Sequence, residues 1–412
     1  MWNASIRRWI PQLTATVGLL FLASCKHAAD PSPPAIVLPT EQGPLEIDGH
    51  QPIDISKLLE RHRSENGLPA LAGGLVIGDT VVAIGATGER QAASENLVEL
   101  GDKWHLGSVT KQMTSTLTAI LIENGVLTWE TTVGDVFADV ELAEEWSTVT
   151  VLDLTRQRGG VLEIDIASVL RSRAKAQKEF EESLPPKPSE ERLQWVLDIG
   201  LKTPPDTRKF RYTNGNYIVL GAMLEKLTGE SWETLMQTHL FQPLGLSSAG
   251  FGAPMGSDQP WGHLHAVSRE PIGLVPGPFA DNTPLIGPAG TVHMSLPDFA
   301  RYARAQLDLA RGESPLWSGE SFPILFQHPN DGDNSYASGW VIEEKSTFTG
   351  KPLVHHNGSN GFWLAKIGLE TERDMAFICA TNYFARGQAD RVCGSIFGEL
   401  SNASNIEQLP TQ

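Results

Sequence analysis

Residues 107–125 read GSVTKQMTSTLTAILIENG, and the spacing of apolar side chains within them decides the reading of the fold. Val109, Met113, Leu117, Ile120 and Leu121 recur at the three- and four-residue intervals of one helix face, and Asn124-Gly125 supplies the stop. The spacing predicts a buried helix with Ser108 in its first turn. Lys111, three residues on, then shares a face with Ser108. The free N–H groups and partial positive charge of a helix N-terminus stabilise a developing alkoxide or oxyanion. A lysine desolvated in such a helix is neutral part of the time and can take the serine proton. Ser-x-x-Lys is not specific by itself, since Ser172-Arg173-Ala174-Lys175 also matches. That copy lies in a charged segment where its lysine stays solvated and protonated, and is read as chance.

Outward from this helix, Tyr212-Thr213-Asn214 is the one Tyr-x-Asn among five tyrosines. It follows Pro204-Pro205 and precedes the helical run Leu220, Leu224, Leu227 that Gly229 closes, so it sits on a loop at a helix start. A phenol there can relay a proton between Ser108 and a leaving group, and the Asn214 amide can hold a substrate carbonyl. The bland alternative is a packed loop tyrosine with a capping asparagine. Further on, His356-Asn357-Gly358-Ser359 precedes an apolar strand and should lie at a sheet edge where substrate can run beside the backbone. Gly358 would let a ligand approach, and the Ser359 N–H is a candidate second oxyanion donor beside that of Ser108. His105-Leu106-Gly107 and Lys366-Ile367-Gly368 fit the same loose His/Lys-x-Gly form and are read as decoys.

In this order, these elements resemble the serine β-lactamase and penicillin-binding-protein superfamily. With separations of 104 and 144 residues and Tyr-x-Asn in the middle, they are most similar to its class C β-lactamase, D-alanyl-D-alanine carboxypeptidase and esterase branch. The likeness runs from about Leu68 to Leu400. Pro204-Pro205-Asp206-Thr207, Phe241-Gln242-Pro243-Leu244-Gly245-Leu246 and Gly287-Pro288-Ala289-Gly290 add to it as structural signatures. The resemblance implies catalytic Ser108, Lys111, Tyr212 and His356, substrate contacts from Asn214, Asn357, Gly358 and Ser359, and no cofactor. Three departures stand out. Asn357 replaces the usual threonine. His356 replaces a lysine, and a neutral histidine weakens binding of a β-lactam carboxylate. Gln157-Arg158-Gly159-Gly160 stands where the family often has His-Thr-Ser-Gly.

The implied fold is α/β (α+β): an antiparallel sheet built from both chain ends and flanked by helices, with a mainly helical lobe over about 107–300. The strand-like runs Gly73 to Ile77, Val81 to Ile84, Phe362 to Leu369 and Met375 to Thr381 agree with it. The domain is expected over 47–402, with a tail over 403–412. Arg171 to Glu191, dense in charge and broken by prolines, is read as a solvated insertion.

At the N-terminus, Arg7 and Arg8 precede the apolar stretch Leu13 to Ala23, too short to span a bilayer, and then Leu22-Ala23-Ser24-Cys25. Small residues before Cys25 resemble the bacterial lipobox, so residues 1–24 read as a lipoprotein signal peptide, Cys25 as the lipidated residue and the proline-rich 25–46 as a tether; a plain signal peptide or an uncleaved anchor is the alternative. The expectation is an exported, periplasmic or cell-envelope protein held on a bacterial membrane by its lipid. Cys379 sits in an apolar strand-like run where a buried free thiol is expected, although an oxidising compartment permits a bridge to Cys393. No Cys or His spacing suggests a metal site: His263-x-His265 and His355-His356 lack the remaining ligands. With net charge −17, the chain repels phosphate backbones, which argues against nucleic acid as a partner.

The chemistry expected is acyl transfer on a small-molecule or peptide substrate, including peptidoglycan-derived ones. A D-alanyl-D-alanine carboxypeptidase and a class C-type β-lactamase are alternatives, as is an inactive member that binds cell-wall peptide. No Gly-x-Ser-x-Gly elbow of an α/β-hydrolase occurs.

Overall fold

The computed structural model describes Gly49 and residues 51–183, 187–206, 209–265, 270–317, 319–329 and 335–403. The expected signal peptide, Cys25, the tether and residues 404–412 lie outside the described residues. The strands, in chain order, are β1 (Ile53–Asp54), β2 (Ala70–Ile77), β3 (Thr80–Gly88), β4 (Lys103–His105), β5 (Gly250–Phe251), β6 (His263–His265), β7 (Pro271–Gly273), β8 (Val292–Ser295), β9 (Val341–Glu343), β10 (Leu353–Ser359), β11 (Leu364–Glu370) and β12 (Met375–Thr381).

Seven strands form one sheet in the order β1-β3-β2-β12-β11-β10-β9. Its inner pairs are antiparallel and its β1–β3 edge pair is parallel, with Ile53 beside Ala83. The two chain ends meet where Cys379 of β12 lies opposite Gly73 of β2. β2 and β3 form the expected hairpin, turned by Gly78 in the left-handed region at φ +57°. Both faces of the sheet are covered. Leu58, Leu59, Phe377, Ile396 and Phe397 pack under the terminal helices Ser56–Glu65 and Gln388–Asn402, while Val76, Ile367, Ala376 and Ile378 join the larger core shared with the helical lobe.

The Thr110–Glu123 helix runs through that larger core. Every residue from Thr110 to Leu121 is buried, so the helix is enclosed all round, where the sequence showed one apolar stripe. Burial of its polar positions is offset by hydrogen bonds: Thr114 Oγ1 donates to Pro288 O at 2.7 Å, and Ser115 and Tyr217 hydroxyls are 3.0 Å apart. Ser108 occupies a 3₁₀ turn, Gly107–Val109, that leads into this helix.

Two expectations are corrected. Cys379 and Cys393 are joined in a disulfide, their Cα atoms 5.6 Å apart. The bridge staples β12 to the Gln388–Asn402 helix, because the register that buries Cys379 also turns it toward that helix. The segment read as a solvated insertion instead holds the helices Ile166–Glu181 and Pro188–Trp195. Its charges are not all in water: Arg173 donates to the carbonyl oxygen of Asp281 at 2.8 Å, and Arg192, just past the segment, is fully buried against Glu225 at 2.6 Å and Glu233 at 2.8 Å. Lys175 of the second Ser-x-x-Lys is solvated as expected, with a side chain 42% exposed.

Candidate active site

Two distant segments converge on Lys111 beside Ser108. Its Nζ lies 3.0 Å from Ser108 Oγ, 2.9 Å from Asn214 Oδ1 and 2.8 Å from the carbonyl oxygen of Ala289. The amine is wholly buried, and burial pulls its pKa down to about 7 against the opposing pull of the Glu163 carboxylate. Tyr212 lays its ring beside the same amine, 4.9 Å from Nζ to the ring centroid. As a residue Tyr212 is 41% exposed. Desolvation raises its phenol pKa, the neighbouring Ser108 hydroxyl opposing it, so the group stays a phenol at neutral pH.

Local sequence explains this convergence. Thr213 caps the Asn214–Thr228 helix, which sets Asn214 at the first helical position facing Lys111. Gln157, buried and at φ +61°, accepts from the Thr213 N–H at 3.0 Å and from Asn216 Nδ2 at 2.8 Å. The Gln157-Arg158-Gly159-Gly160 departure therefore has a structural reading: it clasps the loop that carries Tyr212. Glu163 accepts from the Asn214 N–H at 3.1 Å and stands exposed at the rim.

β10 crosses directly over the serine turn. A Cβ on Gly358 would stand 2.0 Å from Leu106 O and 2.5 Å from Ser108 N, and one on Gly107 would stand 2.3 Å from Ser359 N. Only two glycines allow so close an approach, and it places the Ser108 and Ser359 amides on either side of one crossing. The Ser359 side chain is engaged elsewhere, donating to Trp363 O at 2.6 Å.

His356 is buried on the Ser108 side of β10. Burial first, and the neighbouring Lys111 second, lower its pKa to about 3, so it is neutral at physiological pH. Its Nε2 lies 3.4 Å from the hydroxyl of Tyr336, and it meets Tyr212 only ring to ring, with centroids 6.3 Å apart. Asn357 is not brought into the cluster. Side chains alternate across a strand, and its Nδ2 donates instead to Asp390 at 2.9 Å, where Lys366 also bonds at 3.0 Å. The sequence reading missed Tyr336, Glu163 and the functional use of Ala289. None belongs to a motif, and only Gly287-Pro288-Ala289-Gly290 had drawn attention. Among the described residues no group of three or more His, Cys, Asp or Glu side chains could hold a metal ion.

A model of the Beta-lactamase family matches residues 55–394. The chain belongs to the beta-lactamase family. Within that family it is 27% identical to penicillin-binding protein 4 of Amycolatopsis lactamdurans over 62% of this chain and 65% of the relative. It is 24% identical to a beta-lactamase of Escherichia coli K12, over 68% of this chain and 75% of the relative. A hydrolase of unguisins from Aspergillus campestris matches at 23% over 68% of this chain and 52% of its own length. The chain thus spans between about half and three quarters of these relatives' lengths. Among solved structures, the octameric penicillin-binding protein homologue of Pyrococcus abyssi superposes with TM-score 0.67 at 21% identity, covering 85% of this chain and 77% of that one. A class C beta-lactamase of Rhodobacter sphaeroides gives 0.61 at 18%, covering 83% and 98%. These beta-lactamase and penicillin-binding-protein likenesses establish the fold, and family membership supports a serine hydrolase in general terms.

Proposed function

We propose that this protein hydrolyses an ester or amide through an acyl-enzyme on Ser108, with Lys111 as base and Tyr212 as proton relay. The observation that carries the reading is the buried Lys111 amine, 3.0 Å from Ser108 Oγ with its pKa drawn to about 7. A neutral amine has two N–H bonds and one lone pair. The carbonyls of Asn214 and Ala289 take the two N–H bonds, which leaves the lone pair for the Ser108 hydroxyl proton. Ser108 attacks the substrate carbonyl, and the Ser108 and Ser359 amides receive the oxyanion. The proton passes through the Tyr212 phenol to the leaving group, and water then reverses the sequence to release the acid. Asn214, with its oxygen held by Lys111, offers its NH₂ to the acyl side of the substrate.

His356, neutral and turned to Tyr336, acts on the shape of this side of the site and not through charge. Without a cation there, an uncharged ester or amide is favoured over a β-lactam or a peptide ending in a carboxylate. D-alanyl carboxypeptidase and β-lactamase activities, suggested by the relatives' names, are the second reading. We further propose that the protein is exported and carried on a lipid at Cys25, a reading supported by the N-terminal sequence and by a disulfide suited to an oxidising compartment. Peptidoglycan-derived peptides are then within reach as substrates.

The test is turnover of p-nitrophenyl esters, a chromogenic cephalosporin and a D-Ala-D-Ala peptide, with mass-spectrometric location of fluorophosphonate adducts. Ser108→Ala should remain folded and lose about three or more orders of magnitude in kcat. Turnover at the wild-type rate would remove Ser108 from the mechanism.

A further inference from the structure

We propose that His105 and Asp281 form a buried positioning dyad that holds the Gly107 amide, and through it Ser108, in its reactive orientation. The proposal rests on Ser108 being the nucleophile. His105 is the last residue of β4, fully buried, with its ring stacked on Trp363 at 5.7 Å between centroids. Its Nδ1 accepts from the Gly107 N–H at 3.1 Å, and its Nε2 lies 2.6 Å from Asp281 Oδ1. An amide N–H only donates, so Nδ1 carries no proton and the imidazole proton resides on Nε2, facing the carboxylate. Asp281 therefore selects the tautomer that Gly107 requires.

Gly107 is where such control has most leverage. It adopts φ +52°, in the left-handed region, directly before the serine, and β10 crosses against it with Ser359 N at the site of the missing Cβ. Without an acceptor, its buried amide would lose its hydrogen bond, and rotation of the Gly107 peptide would carry Ser108 N and Oγ with it. Displacements of this kind at a nucleophile cost about 100-fold in rate.

The support beneath Asp281 joins the dyad to the rest of the site. Its Oδ1 also accepts from the Asn282 N–H at 2.6 Å, and its carbonyl accepts from Arg173 at 2.8 Å. Asn282 Nδ2 in turn donates to Gly290 O at 2.7 Å, one residue from the Ala289 carbonyl that holds Lys111. One segment thus bears on the serine turn and on the acceptor of its base. Ser108 Oγ itself bonds Lys111, so the dyad acts through backbone and is not a relay.

Two pairs of variants test this, each comparing a loss with its rescue at one position. His105→Gln can still donate to Asp281 but offers Gly107 no acceptor, whereas His105→Asn places Oδ1 where Nδ1 stood. Asp281→Ala removes the acceptor, whereas Asp281→Asn keeps one. The readouts are kcat and KM on a p-nitrophenyl ester, the rate of fluorophosphonate labelling at Ser108, and Tm. His105→Gln and Asp281→Ala should lose about 100-fold in kcat and in labelling rate with KM within about threefold, while His105→Asn and Asp281→Asn stay within about tenfold of wild type. Equal losses within each pair, or losses confined to Tm or KM, would overturn the dyad. If His105→Gln does not fold, the Asp281 pair decides by the same criterion. Wild-type protein that takes no label at Ser108 would overturn the nucleophile assignment itself; normal wild-type labelling with unaffected variants overturns the dyad alone.

Discussion

Lys111 shows what burial does to one side chain. In water its amine would be protonated at pH 7 and useless as a base; desolvated in the core, it sits at the balance point. The value also reflects Glu163, whose carboxylate favours the protonated form. Loss of that charge leaves desolvation less opposed, so Glu163→Gln should lower the Lys111 pKa. The rise of kcat/KM with pH, centred near 7 if Lys111 is the base, should then move to lower pH. A pH–rate profile of the two proteins checks this, and an unchanged or upward-moving limb contradicts it. The Tyr212 phenol titrates above its ordinary range and so stays protonated throughout this interval. The Ser-x-x-Lys pair was legible in sequence because three residues is nearly one helical turn. Glu163 was not, since it enters by folding back on Asn214 from a loop without periodicity.

At the level of elements, the site depends on a strand passing over a turn closely enough to exclude any Cβ. Gly358→Ala would set a methyl 2.0 Å from Leu106 O, both of them held in backbone, so β10 must lift away from the turn. The expected result is a loss of about 100-fold or more in kcat, accompanied by a lower Tm, read from turnover and thermal melting. Wild-type turnover in this variant would mean that the crossing does not set the geometry. The alternation that brings His356 and Gly358 toward Ser108 sends Asn357 to Asp390. A motif written as consecutive letters hides that alternation, which is why Asn357 was grouped with the substrate contacts. The Ile166–Glu181 helix was hidden for a different reason. Its buried positions are Ser168, Ser172 and Ala176, small residues that give little hydrophobic signal, while its charges face solvent or reach Asp281.

Across the whole molecule, the helical lobe is tied together by a charge cluster that no periodicity reveals. Arg192 bonds Glu225 and Glu233 and donates to Pro284 O at 2.9 Å, three residues from Asp281. Arg192→Ala leaves Glu225 buried without its cation and should cost about 3–5 kcal/mol of stability, measured by denaturant unfolding. A loss below about 1 kcal/mol would show the cluster to be solvated in solution. The sequence by itself determined the helix that carries Ser108 and Lys111, the hairpin at Gly78, the order of the three motifs and hence the family. All of these rest on local spacing, and local spacing is set by backbone geometry along a single segment. Only the tertiary structure decided that Lys111 is dry, that Asn357 faces away, that Cys379 is bridged and that His105 serves Gly107. Each of those depends on what a distant segment brings alongside, and desolvation and hydrogen-bond partnership exist only once those segments have packed.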